Sequence, residues 1–287
     1  MSDLSPQQSQ IKNAAALAIA FSFEAAVPSP SSDYSIAISN PDKLWAIGSL
    51  CDVEGLLTHQ LPQDPNRFVA VVIFAGASAN AATLESRANA WVRGAVAASD
   101  TPPFKAVSRA GSLVWTEGRA LLTCQGESLS DVLNAVLRFT VAERTCRAIE
   151  AKVQDFWPAI AEDASLIHSI NKQDHAAQSR VDARTLDAVA LKSRFLRLWI
   201  AIEQTDNRLS DASRRLFDEL ASQAKLESRV EILDDPVQYA LDHYEIVNFR
   251  LSEDRNARKE WHHALTGYIL ETLIILVLLF QAWFQHH

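Results

Sequence analysis

The sequence predicts an α+β protein: a mixed sheet first, a helical region after it, and a long helix running into a C-terminal transmembrane helix. Three observations carry that expectation. Alternating and β-branched apolar runs fill the first part of the chain, and after Gln125 the apolar spacing changes to three and four. Beyond Trp261 charge almost disappears. The boundaries this suggests are a sheet domain over 1–125, a helical and coiled-coil region over 126–260, and a membrane helix over 261–284.

In the N-terminal part, Leu17, Ile19, Phe21 and Phe23 alternate with the smaller Ala18, Ala20 and Ser22, which is the period of a strand. The run Ala14–Phe23 reads as a strand and not as a signal peptide, because only Lys12 precedes it and Glu24 follows at once; nor does the stretch look like a transit peptide, since it is not Arg-rich. Pro28 to Ser32 reads as a loop. Asp42–Leu57 fits a helix, Arg67–Ala75 a buried strand and Ala81–Val96 a helix. Ala110–Thr123 predicts a hairpin that turns at Glu117-Gly118.

The helical part opens at Ser128 to Asp131, a capping pattern. Leu129, Val132, Val136, Phe139, Cys146, Ile149, Val153 and Phe156 form a stripe that Pro158 ends or kinks. A second helix runs from about Asp182 through Gln204, with Leu186, Val189, Phe195, Leu196, Trp199 and Ile202 as its apolar residues. A third covers about Ala212 to Lys225. The last is expected to begin near Asp235-Pro236, a cap followed by Pro in the first turn. From there Val237, Leu241, Tyr244, Asn248, Leu251, Arg255 and Arg258 alternate three and four apart, a seam that starts apolar and turns basic. Val237, Leu241, Tyr244 and Leu251 are therefore the expected oligomer or hairpin contact. An amphipathic helix lying on a core predicts the same stripe.

Between Ala264 and Phe284 the only charged residue is Glu271. Trp261 to Phe284 is roughly 36 Å long as a helix, enough to cross a hydrocarbon core of ~30 Å with some tilt. Trp261 and Tyr268 at one end and Trp283 at the other suit the two interfaces. A buried terminal helix in an oligomer core is the alternative. Arg250, Arg255, Arg258 and Lys259 precede the span, and only His286 and His287 follow it. The positive-inside rule then keeps the N-terminal bulk in the cytoplasm, or in a matrix-like compartment, with the C-terminus across the membrane. The expected location is the inner (cytoplasmic) membrane, crossed once, with the protein tail-anchored among membrane lipid. Arg255, Arg258, Lys259, Glu260, Trp261 and Trp283 are the expected membrane-interface residues. Glu271 is expensive in hydrocarbon, so it is expected to be protonated, paired or facing another helix, unless it reaches water by local thinning. Gly267, one turn earlier on the same face, would admit a close second backbone.

Composition narrows the function classes. The 287 residues carry 27 Lys and Arg against 35 Asp and Glu, a net charge of −8. That balance argues against bulk nucleic-acid binding, and no direct DNA binding is expected. Cys51, Cys124 and Cys146 lie too far apart for a disulfide framework or a CxxC zinc site, which fits a reducing compartment. There is no P-loop, GxGxxG, GxSxG or HExxH. Glu260 and His263 make a single Glu-x-x-His, where a di-metal bundle needs two with further Glu. Asp234-Asp235 reads as a helix cap, and His243 as packed or solvated. No catalytic, cofactor or metal residue is assigned.

The C-terminal third, with Arg229-Val230-Glu231-Ile232-Leu233, then heptads, then Arg258-Lys259-Glu260-Trp261, then Leu270-Glu271 and an aliphatic tail, resembles the required-for-meiotic-nuclear-division family of bacteria, yeast and animal mitochondria. Ser112–Leu122 (SLVWTEGRALL) and Leu216–Lys225 are similar to its central hairpin and to the helix before the Arg-Val-Glu segment. The family's Asp-Thr-Pro segment with aromatics is replaced here by Asn207 to Ala212, which has neither Pro nor Trp. The resemblance implies a single span and a non-catalytic scaffold; its mitochondrial members face the matrix and hold ribosomes near the inner membrane. The expected function is thus a membrane-tethered, homo-oligomeric scaffold, with the ribosome or a translation-linked protein as partner. A membrane-bound hydrolase or nuclease-like enzyme, with its site in the N-terminal domain, is the alternative.

Overall fold

A computed structural model describes residues 16–25, 34–38, 41, 43–58, 66–74, 81–94, 102–109, 111–125, 128–167, 177–203 and 209–285, with side chains at the C-terminal end described as far as Leu278. The strands are β1 (Ala16–Glu24), β2 (Tyr34–Ile38), β3 (Leu44–Cys51), β4 (Arg67–Phe74), β5 (Phe104–Ser108), β6 (Gly111–Thr116) and β7 (Arg119–Cys124). The helices are α1 (Val53–Thr58), α2 (Ala81–Gly94), α3 (Leu129–Asp163), α4 (Gln178–Glu203), α5 (Asp211–Gln223) and α6 (Leu226–Gln285). The α+β class holds: a mixed seven-stranded sheet precedes the helices, and a long apolar helix ends the chain. Two compact units result, one of Met1–Glu150 with Ser193–Asp234, the other of Ala151–Lys192 with Asp235–His287.

In the first unit the sheet order is β2-β3-β1-β4-β7-β6-β5, antiparallel throughout except where β4 pairs with β7. The central strand β4 is buried at every position after Arg67. Its continuous RFVAVVIF run reflects a sheet covered on both faces. Strand alternation sorts side chains by size. The small Ala16, Ala18 and Ala20 of β1 join Val69, Val71, Ile73 and Leu121 on the face covered by Leu56 of α1 and by Ala88, Trp91 and Val92 of α2. The larger Ile19 and Phe21 point the other way, where α3 lies. There the Phe139 ring meets Trp115 edge-on at 4.9 Å, and the Trp115 indole N–H donates to Thr140 Oγ1 at 2.9 Å. Gly48 sits opposite Phe21, whose Cε1 would lie 2.7 Å from any added Cβ.

The hairpin turns where expected. Gly118 has φ +84°, a conformation that glycine adopts at little cost. Edge strand β5 is blocked by α5 side chains. Lys105 N–H donates to Gln223 Oε1 at 2.9 Å, Val107 N–H donates to Glu219 Oε2 at 3.1 Å, and Gln223 Nε2 donates back to Lys105 O. Satisfied edge groups cannot template another strand.

Two expectations need correction, and one of the two readings of Pro158 is excluded. Asp42–Leu57 is mostly strand β3, with only the short α1 after it, capped by Asp52 Oδ2 on Gly55 N–H at 2.8 Å. β3 pairs along its length with both β1 and β2, and those ladders override the helical reading. Pro158 does not end α3, which continues to Asp163 because Ile160 and Asp163 beyond it are buried. Nor does α6 start at Pro236. It starts at Leu226, directly after Lys225 in the left-handed conformation at φ 52°, and Asp234-Asp235 are mid-helix residues rather than a cap. Packing of Val230 and Leu233 before the proline, and of Val237 and Ala240 after it, offsets the lost hydrogen bond to Ile232. Along α4, the buried residues are Val181, Ala188, Leu191, Phe195 and Leu198, while Leu186, Val189 and Leu196 of the expected apolar set are exposed.

In the second unit, Val153, Phe156 and Ile160 of α3 and Val181, Ala188 and Leu191 of α4 are buried with Val237, Ala240, Tyr244, Val247 and Leu251 of α6. Phe156 and Tyr244 stack obliquely at 5.7 Å.

Candidate membrane anchor and the helix that carries it

Helix α6 is 60 residues long, about 90 Å end to end. Leu226, Val230, Leu233, Val237, Ala240, Tyr244, Val247 and Leu251 are its buried apolar positions, spaced alternately four and three. Val237, Tyr244 and Leu251 belong to the expected seam and are buried in the chain's own helical unit, as a hairpin contact would have them. Leu241 and Asn248 are only half-buried, because Ala240 and Val247 take the inner places. The sequence pattern was one residue out of phase there. A bulky Leu beside a small Ala makes the outer position look like the core one.

After Leu251 the helix keeps its geometry and loses its neighbours. No described residue from Ser252 to Leu278 is buried. The basic residues Arg255, Arg258 and Lys259 come first, with Arg258 Nε held 2.9 Å from Asp254 Oδ2. Glu260 and Trp261 follow, the indole edge-on to His262 at 5.4 Å. Beyond them Leu273, Ile274, Ile275, Leu276, Val277 and Leu278 are all more than half exposed. Thr266 and Thr272 point their hydroxyls back along the helix, donating to the carbonyls of His262 and Tyr268 at 2.8 and 2.7 Å. Such internal bonds remove the need for water that a lipid environment could not meet. An added Cβ at Gly267 would touch nothing within 4 Å. Glu271 is likewise exposed. Trp283 lies within α6, but its side chain is outside the described residues. By length and composition α6 is the one described helix able to cross a membrane, and its apolar window is wholly unburied.

Two ion-pair clusters, which sequence reading missed, hold the rest of the helical structure. In the first unit Arg229 of α6 grips Glu150 through Nε at 2.7 Å and Nη2 at 2.8 Å, and reaches Glu143 through Nη1 at 2.8 Å. Glu143 is 2% exposed and also accepts from Arg147 Nε at 2.7 Å. The hydrogen bonds to Glu150 raise the Arg229 guanidinium further above its usual range, against the effect of burial. The spacing of Glu143 and Glu150, seven apart on one face of α3, was the available signal. Their partner lies about eighty residues away in sequence, so no local pattern names it.

In the second unit Asp163 is wholly buried and is held by Arg184 and by Arg180 at 2.9 Å, while Glu162 accepts from Arg184 at 2.7 Å. Burial works against the Arg184 charge, and the hydrogen bonds with Glu162 and Asp163 outweigh it. His243 is 4% exposed, so burial holds its imidazole below the ordinary value, partly countered by Asp163. Burial also pushes the Tyr244 phenol up to about 12.

The thiols of Cys124 and Cys146 are pushed up by burial, to about 11 and about 12, so neither is a ready thiolate near neutrality. Among the described residues no group of three or more His, Cys, Asp or Glu is placed to hold a metal ion, and Glu260 and His263 stand without further ligands. The described arrangement is a helical unit held by ion pairs and extended by a bare apolar helix. No protein-family model and no curated protein matches the chain, so the family resemblance rests on the residues quoted for it.

Proposed function

We propose that the protein is a membrane-tethered scaffold, which α6 anchors in the inner (cytoplasmic) membrane, or its organellar counterpart, while the N-terminal bulk stays on the side of the basic flank. The observation that carries this reading is the stretch from Ser252 to Leu278, where no described residue is buried and the second half is apolar on every face. A helix apolar all round with no protein partner calls for lipid. Trp261, Lys259 and Arg258 lie where the hydrophobic stretch meets water, the place such residues take at an interface. The scaffold is homo-oligomeric, and by family resemblance its partner is the ribosome or a translation-linked protein.

Alkaline carbonate extraction tests the tether. Full-length protein stays with the membrane pellet, and protein lacking residues 264–287 moves to the supernatant. Full-length protein in the supernatant sinks the reading. Affinity capture from native membranes, scored for ribosomal proteins against the tail-deleted control, tests the partner; equal recovery with both chains removes it.

A further inference from the structure

The second half of α6 has its own seam. Ala264, Gly267, Glu271, Ile274 and Leu278 recur three and four apart, so they line one face of the helix, and each is exposed. Two of the five are small, and Gly267 leaves open space in which a second backbone can approach. The remaining observation is chemical. Glu271 places a carboxyl in the apolar stretch, the threonine hydroxyls of that stretch are already bonded within the helix, and Glu271 has no side-chain partner among the described residues. A polar group in hydrocarbon takes its partner from another helix. Among the described residues one helix is able to span, so no second described span of the same chain stands beside Glu271 to supply that partner.

We propose that the partner is the same helix of a second copy of this chain, packed parallel and in register along Ala264, Gly267, Glu271, Ile274 and Leu278. Copies inserted by the same rule share one orientation, so two spans meet side by side with each residue level with its own equivalent. Glu271 then faces Glu271. A neutral carboxyl both donates and accepts, which makes the pair self-complementary, whereas a lipid chain offers neither group. The shared face runs over roughly four turns, from Ala264 to Leu278, with a contact position in every turn. Gly267, one turn before the carboxyls, brings the backbones close enough for them to meet. The proposal rests on the reading of α6 as a membrane span.

Cysteine cross-linking of full-length protein in native membranes tests it. Cys124 and Cys146 are buried, so replacing Cys51 by Ser leaves no accessible native thiol among the described residues. Single cysteines then go to the seam, Ala264→Cys or Ile274→Cys, or to the far side, Ile269→Cys or Leu276→Cys. Copper-phenanthroline oxidation is expected to give a species of twice the chain mass at least about fivefold more from the seam positions than from the far ones. Adding Glu271→Leu should cut that yield about fivefold, and Glu271→Gln, which still donates and accepts, should keep most of it. Equal yields at all four positions, or no response to Glu271→Leu, overturn the pairing. So does an adduct whose mass belongs to a different protein. Carbonate extraction of the same samples separates the two failures. A membrane-bound chain without the periodic pattern overturns the pairing alone, and a chain found in the supernatant overturns the span and the pairing together.

Discussion

Up to Leu251, α6 buries a residue at every third or fourth position; from Ser252 to Leu278 it buries none, although the helix is continuous across the change. The first half buries one apolar stripe, and its exposed side mixes Glu227, Asp234, Asp235 and Asp242 with Ile232, Tyr239, Ile246 and Phe249. The second half, after its basic turn, is apolar on every side. Periodicity tells the two apart. A stripe asks for a protein neighbour, and an unbroken apolar surface asks for a solvent of its own kind. The polar chemistry follows the same division. Arg229 in the first half is satisfied by Glu143 and Glu150 of the same chain, while Glu271 in the second is exposed and has no ion-pair partner among the described residues.

The largest way to break this comparison is to make the second half resemble the first. Leu273→Lys with Leu276→Lys should abolish membrane integration, since each lysine near the centre of a span costs about 2.5–3.5 kcal/mol to insert. The folded units should melt as before. Carbonate extraction and thermal melting of the same protein check both halves of that statement.

Arg229→Met attacks the first half. It leaves Glu143, nearly inaccessible to solvent, with Arg147 alone, and should cost about 3 kcal/mol in urea unfolding. Pairing it with Glu143→Gln should recover part of the loss, because the stranded carboxylate is then gone. A double variant no more stable than Arg229→Met would place the effect elsewhere.

Truncations compare the halves at equal chemistry. Leu251→Ala should destabilise by about 2–5 kcal/mol, as a fully buried leucine does. Leu276→Ala should stay within about 0.5 kcal/mol, since Leu276 is exposed. Leu241→Ala falls between them, near 1 kcal/mol by an area scale of about 25 cal/mol per Å2. If Leu241 costs as much as Leu251, the inner register runs through 241 and not through Ala240.

The smallest effect is a dependence on pH. Burial sets the folded value of His243 below its unfolded one. Above about pH 6.5 both states are neutral and the residue contributes nothing to the slope. As pH falls through that value the unfolded chain takes up the proton first, so stability declines until the folded value is reached. Urea midpoints at about pH 7.5 and about pH 5.5 should therefore differ less in His243→Phe than in the native chain. Asp163, beside it, opposes the decline, and an unchanged difference would mean that the carboxylate cancels the burial.

Local pattern alone was enough for the α+β class, the buried strand β4, the turn at Glu117-Gly118, the whole stripe of α3 and the apolar character of the C-terminal helix. Each is a matter of side-chain period or turn chemistry within a short window. The length of α6 and the true end of α3 were not legible, because Pro158 and Pro236 read as boundaries wherever packing on both sides is unknown. β3 read as a helix because its state is set by ladders with β1 and β2 on either side, which the apolar spacing within its own window does not report.

The candidate anchor was nearly all visible in composition, since lipid selects for apolarity without reference to any other residue. The tertiary structure decided which face of α6 turns inward, placing Ala240 and Val247 where Leu241 and Asn248 were expected. It also brought Arg229 to Glu143 and Glu150, and Arg184 to Asp163. Those pairings depend on which helices become neighbours, and a contact between residues far apart in the chain leaves no trace in the spacing of either.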